Sequence, residues 1–184
     1  MLIYVFRDLP SLHTERLTLR KIYRNDINEL HRCLSNDYLS KYMLIDFDKS
    51  INTTKKMLDM IINGYENDKA TPWGVTLKED GKLIGMCGFS SYSELNNKAE
   101  VGYILNSDYW NKGIITEALC SVIDFGFKNM NLDKIEAKCI SGNSASEKVM
   151  IKNGMRLDGI LRSDRLHKGM YTDLKLYSIL KQDK

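Results

Sequence analysis

With 184 residues, 43% of them hydrophobic and 28% charged, the chain can bury one sizeable core; this excludes a disordered chain and gives no reason for two domains, so residues 1–184 are expected to form one. Its net charge of +3 is too small to imply nucleic acid by itself, and no basic stripe interleaved with aromatics occurs, so no nucleic-acid partner is expected. No stretch approaches the ~20 apolar residues of a membrane span, and the opening MLIYVFRDLP lacks a basic start and turns charged at Arg7, so neither a membrane role nor an export signal is expected, and the compartment is expected to be a reducing cytoplasm.

Residues 14–22 alternate, with Leu17 and Leu19 against Arg16, Thr18 and Arg20, which predicts a half-buried strand. Asn25 is the expected cap of a helix carrying Ile27, Leu30 and Leu34, and Ser50 that of a second helix with Ile51, Thr54, Leu58, Ile61 and Tyr65 on one side. Between them, residues 36–47, with Tyr38, Tyr42 and Met43, read equally as a packed connection or as a substrate-facing lip. Residues 71–78 and 82–92 predict a hairpin turned at Glu79-Asp80-Gly81, with Gly85 and Gly88 marking a bulge or a close neighbour.

A polar turn at 94–98 leads to a strand over 99–105, stopped by Asn106, Ser107 and Asp108. After the loop Tyr109-Trp110-Asn111-Lys112-Gly113 comes a helix whose apolar face holds Ile115, Leu119, Ile123 and Phe127, with Ala118 and Val122 beside them. The first N–H groups of a helix lack internal partners and carry the positive end of its dipole, so this loop is a candidate anion site; Gly113 permits close approach and Lys112 adds a cation. The loop is neither GxxxxGK[ST] nor GxGxxG. Residues 134–140 alternate again and, being separated by a helix crossover, must run parallel to the 99–105 strand. A helix over 147–153 follows polar caps at 141–146 and ends at Gly154; strands over 155–162 and 170–180, turned at 164–169, close the chain and could present an edge to a second copy.

Cys33, Cys87, Cys120 and Cys139 are far apart in apolar segments, which predicts small buried hydrophobes, and no CxxC occurs. His13, His31 and His167 are isolated, so no metal site is expected.

The order β-α-α-β-β-β-α-β-α-β-β resembles the GCN5-related N-acetyltransferase (GNAT) superfamily, and more narrowly its branch of ribosomal-protein and spermidine N-acetyltransferases. Four pieces carry the resemblance: Glu15-Arg16-Leu17-Thr18-Leu19-Arg20; Ala99-Glu100-Val101-Gly102-Tyr103; residues 109–118; and Asn143-Ser144-Ala145-Ser146 through Asn153-Gly154-Met155. The resemblance implies an α+β fold whose mixed, mostly antiparallel sheet splays between its fourth and fifth strands, those over 99–105 and 134–140. It also implies acetyl-CoA as cosubstrate. The superfamily loop usually reads Gln/Arg-x-x-Gly-x-Gly/Ala; here Trp110 stands first, as the branch leads one to expect, Ile115 stands last, and Asn111 replaces the glycine of the branch's Trp-Gly-Lys-Gly.

Transfer of an acetyl group to a primary amine needs a base for the amine, a donor for the thioester oxygen and a proton for the departing thiolate. The resemblance implies that Glu100 is the base, with a solvent-facing carboxylate or a partner for a basic side chain as the alternative. It implies backbone contacts to the coenzyme from Tyr103, Ile104 and Leu105 and from Trp110, Asn111, Lys112, Gly113, Ile114 and Ile115. It implies that Asn143 bonds the pantetheine and that Ser146 bonds it or protonates the thiolate; helix capping would also explain both, and Tyr103 and Tyr109 are rival acids. The acceptor is a protein or peptide N-terminus or a small amine such as a polyamine or an antibiotic, and a non-catalytic acetyl-CoA sensor is the alternative from another class. For a cationic acceptor, Asp37, Asp46, Asp48 and Asp173 are candidate pocket carboxylates.

Overall fold

The computed structural model describes residues 5–36, 41–43 and 48–184. One eight-stranded sheet runs through it in the order β1-β2-β3-β4-β5-β6-β8-β7, with β1 Leu12–His13, β2 Leu17–Arg20, β3 Pro72–Leu77, β4 Leu83–Ser93, β5 Lys98–Leu105, β6 Lys134–Ile140, β7 Arg156–His167 and β8 Met170–Leu180. All neighbours are antiparallel except β5 and β6, the pair joined through the crossover helix. The predicted order is present, with the two-residue β1 added at the edge beside β2.

The helices are α1 Ile27–Leu34, α2 Ile51–Glu66, α3 Ile114–Lys128 and α4 Ser144–Lys152. β4 is buried on both sides from Leu83 to Phe89, with α3 against one face and α1 against the other. On the α3 face Trp73 meets Phe125 at 5.2 Å and Phe89 at 6.0 Å, edge to face, an arrangement that ring quadrupoles favour. Gly126 lets α3 lie close, since a Cβ there would stand 2.8 Å from Ile135 and 3.1 Å from Phe89.

Several local expectations are corrected. Asn25 is not the cap: Arg24–Asp26 form a 3₁₀ turn and Asp26 stands at the N-cap of α1, because its carboxylate takes both the Tyr23 N–H and a two-pronged bond from Arg20. Ser50 caps α2 as expected, accepting from the Thr53 N–H, but Ile51 is 37% exposed. In α3 the buried face begins at Ile114 and not at Ile115. α4 starts at Ser144, three residues early, because Asn143 itself is the cap. The last turn is the two-residue Lys168-Gly169, both at positive φ, so β7 runs on to His167 across an irregular stretch where Ser163 sits at φ 51. Cys33, Cys87 and Cys139 are buried, but Cys120 is exposed, one helical step (~100° around the axis) beyond buried Leu119. Gly85 and Gly88 do mark close neighbours, the Ile104 carbonyl and the Pro72 Cα, and a bulge falls beside Gly85, where Val75 pairs with Gly85 but Thr76 with Leu83; a second irregularity of β4 lies between Phe89 and Ser91.

Candidate active site

β5 and β6 pair only from Lys98 with Lys134 to Val101 with Ala137. Beyond that, Gly102 to Leu105 pair with Gly88 to Gly85 of β4, and Lys138 to Ile140 pair with Leu176 to Leu174 of β8. Each strand keeps its other neighbour, so the sheet opens into a wedge whose β5 side carries Tyr103, Ile104 and Leu105.

The loop after β5 closes one end of the wedge. Trp110 sends its indole N–H to the Leu105 carbonyl at 2.8 Å, folding the loop back on the strand. Asn111 lies at φ 59 and Gly113 at φ 74. The first explains why a branch glycine can give way to Asn: asparagine is among the few residues that tolerate the left-handed region. Among the described residues the N–H groups of residues 111–116 donate to no protein acceptor, and the first helical donation is Glu117 to the Gly113 carbonyl. Ile114 is buried and Ile115 partly so, which roots this turn, a candidate anion site, in the core. The Lys112 ammonium turns back to the Asp108 carbonyl at 2.9 Å and lies 5.5 Å from the Tyr109 ring centre.

Arg16 and Glu117, which sequence reasoning gave no role, hold this loop. Arg16 donates to the Lys112 carbonyl at 2.9 Å and to the Glu117 carboxylate at 2.7 Å; Glu117 also takes the Arg16 N–H and the Thr14 hydroxyl. Burial alone would raise the Glu117 carboxyl, but these donors bring it below its usual range. The available signal was a carboxylate in the first turn of the helix, where the dipole favours it.

Across the wedge, the Asn143 amide oxygen accepts the Ser146 N–H at 3.2 Å, and the Tyr103 hydroxyl meets the Ser146 Oγ at 2.7 Å. Glu147 then ties α4 to β8, accepting from Lys175 and from the Tyr177 hydroxyl, each at 2.8 Å. Asn143 therefore does cap its helix, and Ser146 is the residue capped.

Glu100 lies on the face of β5 opposite α3, where its carboxylate accepts from Lys138 at 2.9 Å. Lys138 went unnoticed in the sequence, although Lys134, Glu136 and Lys138 alternate beside Lys98 and Glu100 once the parallel register is known. Asp48 and Asp173 are engaged locally: Asp48 takes the Ser50 N–H and the Thr53 hydroxyl, and the Ser50 hydroxyl, the Thr53 hydroxyl and the Ser50 N–H together pull its carboxyl to about 2, while Asp173 takes the Ser163 N–H. Asp37 and Asp46, and much of the proposed lip including Tyr38, lie outside the described residues. The tip of the last hairpin does reach that segment, with a 3.1 Å contact between the His167 ring and the Lys41 carbonyl. Among the described residues no group of His, Cys, Asp and Glu could hold a metal ion, and no helix is long and apolar enough to cross a membrane.

A family model for the acetyltransferase (GNAT) domain matches residues 16–156. The uncharacterized N-acetyltransferase p20 of Bacillus licheniformis is 34% identical over 175 residues, 95% of this chain and 98% of that protein. The ribosomal-protein-serine acetyltransferase of Escherichia coli is 28% identical over 168 residues, 90% of this chain and 93% of that one. The crystal structure of a GNAT-family acetyltransferase from Bacillus anthracis superposes with a TM-score of 0.83 at 29% identity, covering 94% of this chain and 99% of that one. The wedge, the turn with its unpaired N–H groups and these likenesses have one conclusion: the chain belongs to the GNAT family and is an acetyl-CoA-dependent N-acetyltransferase.

Proposed function

We propose that the enzyme acetylates the α-amine of a protein or peptide N-terminus by direct attack in a ternary complex, with residues 1–184 acting as one catalytic domain in the cytoplasm. The observation that carries the reading is the parting of β5 and β6 immediately past Glu100, between a candidate base and an anion-binding turn. Acetyl-CoA supplies the thioester. The N–H groups from Asn111 to Ile115, on the loop folded back by Trp110, hold the diphosphate, with Lys112 as a nearby cation. Asn143 and Ser146 bond the pantetheine. A backbone N–H among Tyr103, Ile104 and Leu105 takes up charge on the thioester oxygen. Glu100 removes the amine proton through a water, and the Ser146 hydroxyl gives a proton to the departing thiolate.

Two facts support an N-terminal amine. One is the relative that acts on a ribosomal protein. The other is the charge around Glu100: Glu100, Glu136 and Asp158 are each matched by Lys138, Lys98 or Lys134, so this face offers no surplus of negative charge to a polyamine. The test is release of free CoA thiol with a panel of N-terminal peptides, polyamines and aminoglycosides. Release with peptides carrying a free N-terminus is expected; preference for a small amine overturns the reading.

A further inference from the structure

Lys138 is the first residue of β6 beyond its pairing with β5, and its ammonium bonds one oxygen of Glu100 at 2.9 Å. The other lysines on this part of the sheet are committed elsewhere. Lys98 bonds Glu136 at 2.9 Å; Lys134 bonds Glu136 at 3.0 Å and Asp158 at 2.9 Å, and Asp158 also accepts from the Ser178 hydroxyl. The second Glu100 oxygen takes no hydrogen bond from a described residue. The Lys138 and Glu100 side chains are 29% and 24% exposed, so a solute can reach the pair, yet solvent screens it incompletely.

We propose that Lys138 selects the charge state of the acceptor, admitting neutral amines to Glu100 and turning ammonium groups away. This deepens the reading of Glu100 as the base and rests on it. An ammonium approaching Glu100 must displace Lys138 or settle a few ångströms from a like charge. A neutral amine meets no such barrier. Its nitrogen forms the bond to the thioester carbon as the carbon–sulfur bond breaks; its surplus proton passes through water to the open Glu100 oxygen, and the thiolate takes a proton from Ser146. A peptide α-amine, with a pKa of about 7.7–8.0, is about one quarter neutral near pH 7.4, while a lysine or polyamine amine, near 10.4, is neutral in about one molecule in a thousand. The same device therefore favours N-termini over side-chain amines.

The test compares kcat/KM for two acceptors, a lysine-free peptide with an open N-terminus and the same peptide with a blocked N-terminus and one lysine. Lys138→Met is expected to raise the lysine peptide relative to the N-terminal peptide by about tenfold, the scale of one partly screened charge removed near the surface. Lys138→Arg, which keeps the charge, is expected to hold the wild-type ratio. A ratio within twofold of wild type in Lys138→Met, or a folded Lys138→Met that loses both acceptors equally, overturns the proposal. Glu100→Gln separates the two readings: undiminished turnover overturns the base and this proposal with it, whereas an unmoved ratio beside an impaired Glu100→Gln overturns the proposal alone.

Discussion

The Tyr103 hydroxyl stands 2.7 Å from the Ser146 Oγ and 3.1 Å from the Ser146 carbonyl oxygen, so a side chain of β5 closes on the first turn of α4. Burial pushes the Tyr103 phenol well above its usual value, more than the Ser146 bond draws it down. The phenol therefore stays protonated at neutral pH, donates to the Ser146 carbonyl and shares a bond with the Ser146 hydroxyl in which either oxygen can be the donor, so Tyr103 holds Ser146 in place.

This arrangement separates the two hydroxyls by role. Ser146→Ala should lower kcat by about a hundredfold, the scale of a lost general acid, and move the acetyl-CoA KM only a few-fold. Tyr103→Phe should lower kcat by about tenfold through Ser146, and the double variant should be no slower than Ser146→Ala, as for residues acting as one unit. Steady-state kinetics decide it; losses that multiply would mean that the two act separately.

The Arg16–Glu117 contact predicts the opposite kinetic split. Arg16→Met removes the grip on the Lys112 carbonyl and leaves the Glu117 charge unmatched at the mouth of the turn proposed to hold the diphosphate. The acetyl-CoA KM should rise about tenfold with kcat little changed, one or two charge-assisted bonds being at stake on a partly exposed pair. Calorimetric titration with CoA checks this directly, and unchanged affinity would refute it.

Asn111 occupies a left-handed position. Asn111→Gly should therefore retain or slightly raise thermal stability and CoA affinity, since glycine takes that conformation without a Cβ penalty. Asn111→Val should cost about 1–2 kcal/mol of stability, the penalty for Cβ crowding in that region. Thermal melts of the two variants would show it, and equal stability would sink the argument.

The charged row on the open face predicts an acid response. Burial raises the Glu136 carboxyl, but Lys98 and Lys134 bring it below its usual value; Asp158 is held down chiefly by Lys134, with Ser178 adding to it. A carboxyl with a folded pKa below its unfolded one contributes stability in full above the unfolded value, about 4, and loses it as pH falls through the folded value. The urea midpoint should thus fall steeply below about pH 4, and less so in a Glu136→Gln, Asp158→Asn variant.

The sheet strands, the crossover helix and the loop that leads into it were legible in the sequence because their signals are local. Alternation in Leu17 and Leu19, the 3.6-residue period from Ala118 to Phe127, and Gly113 at a helix start all act within a few residues. The same locality misled at the edges, where charge overrode propensity: Asp26 took the cap from Asn25 because Arg20 lay across from it.

What only the tertiary structure decided is which distant residues meet. Nothing in the chain order says that Arg16 grips the carbonyl of Lys112, that Tyr103 reaches Ser146, or that Lys138 closes on Glu100. These pairs depend on strand register and on where two parallel strands part. Register is set by the burial of whole faces, a property of the packed sheet that no single stretch of sequence contains.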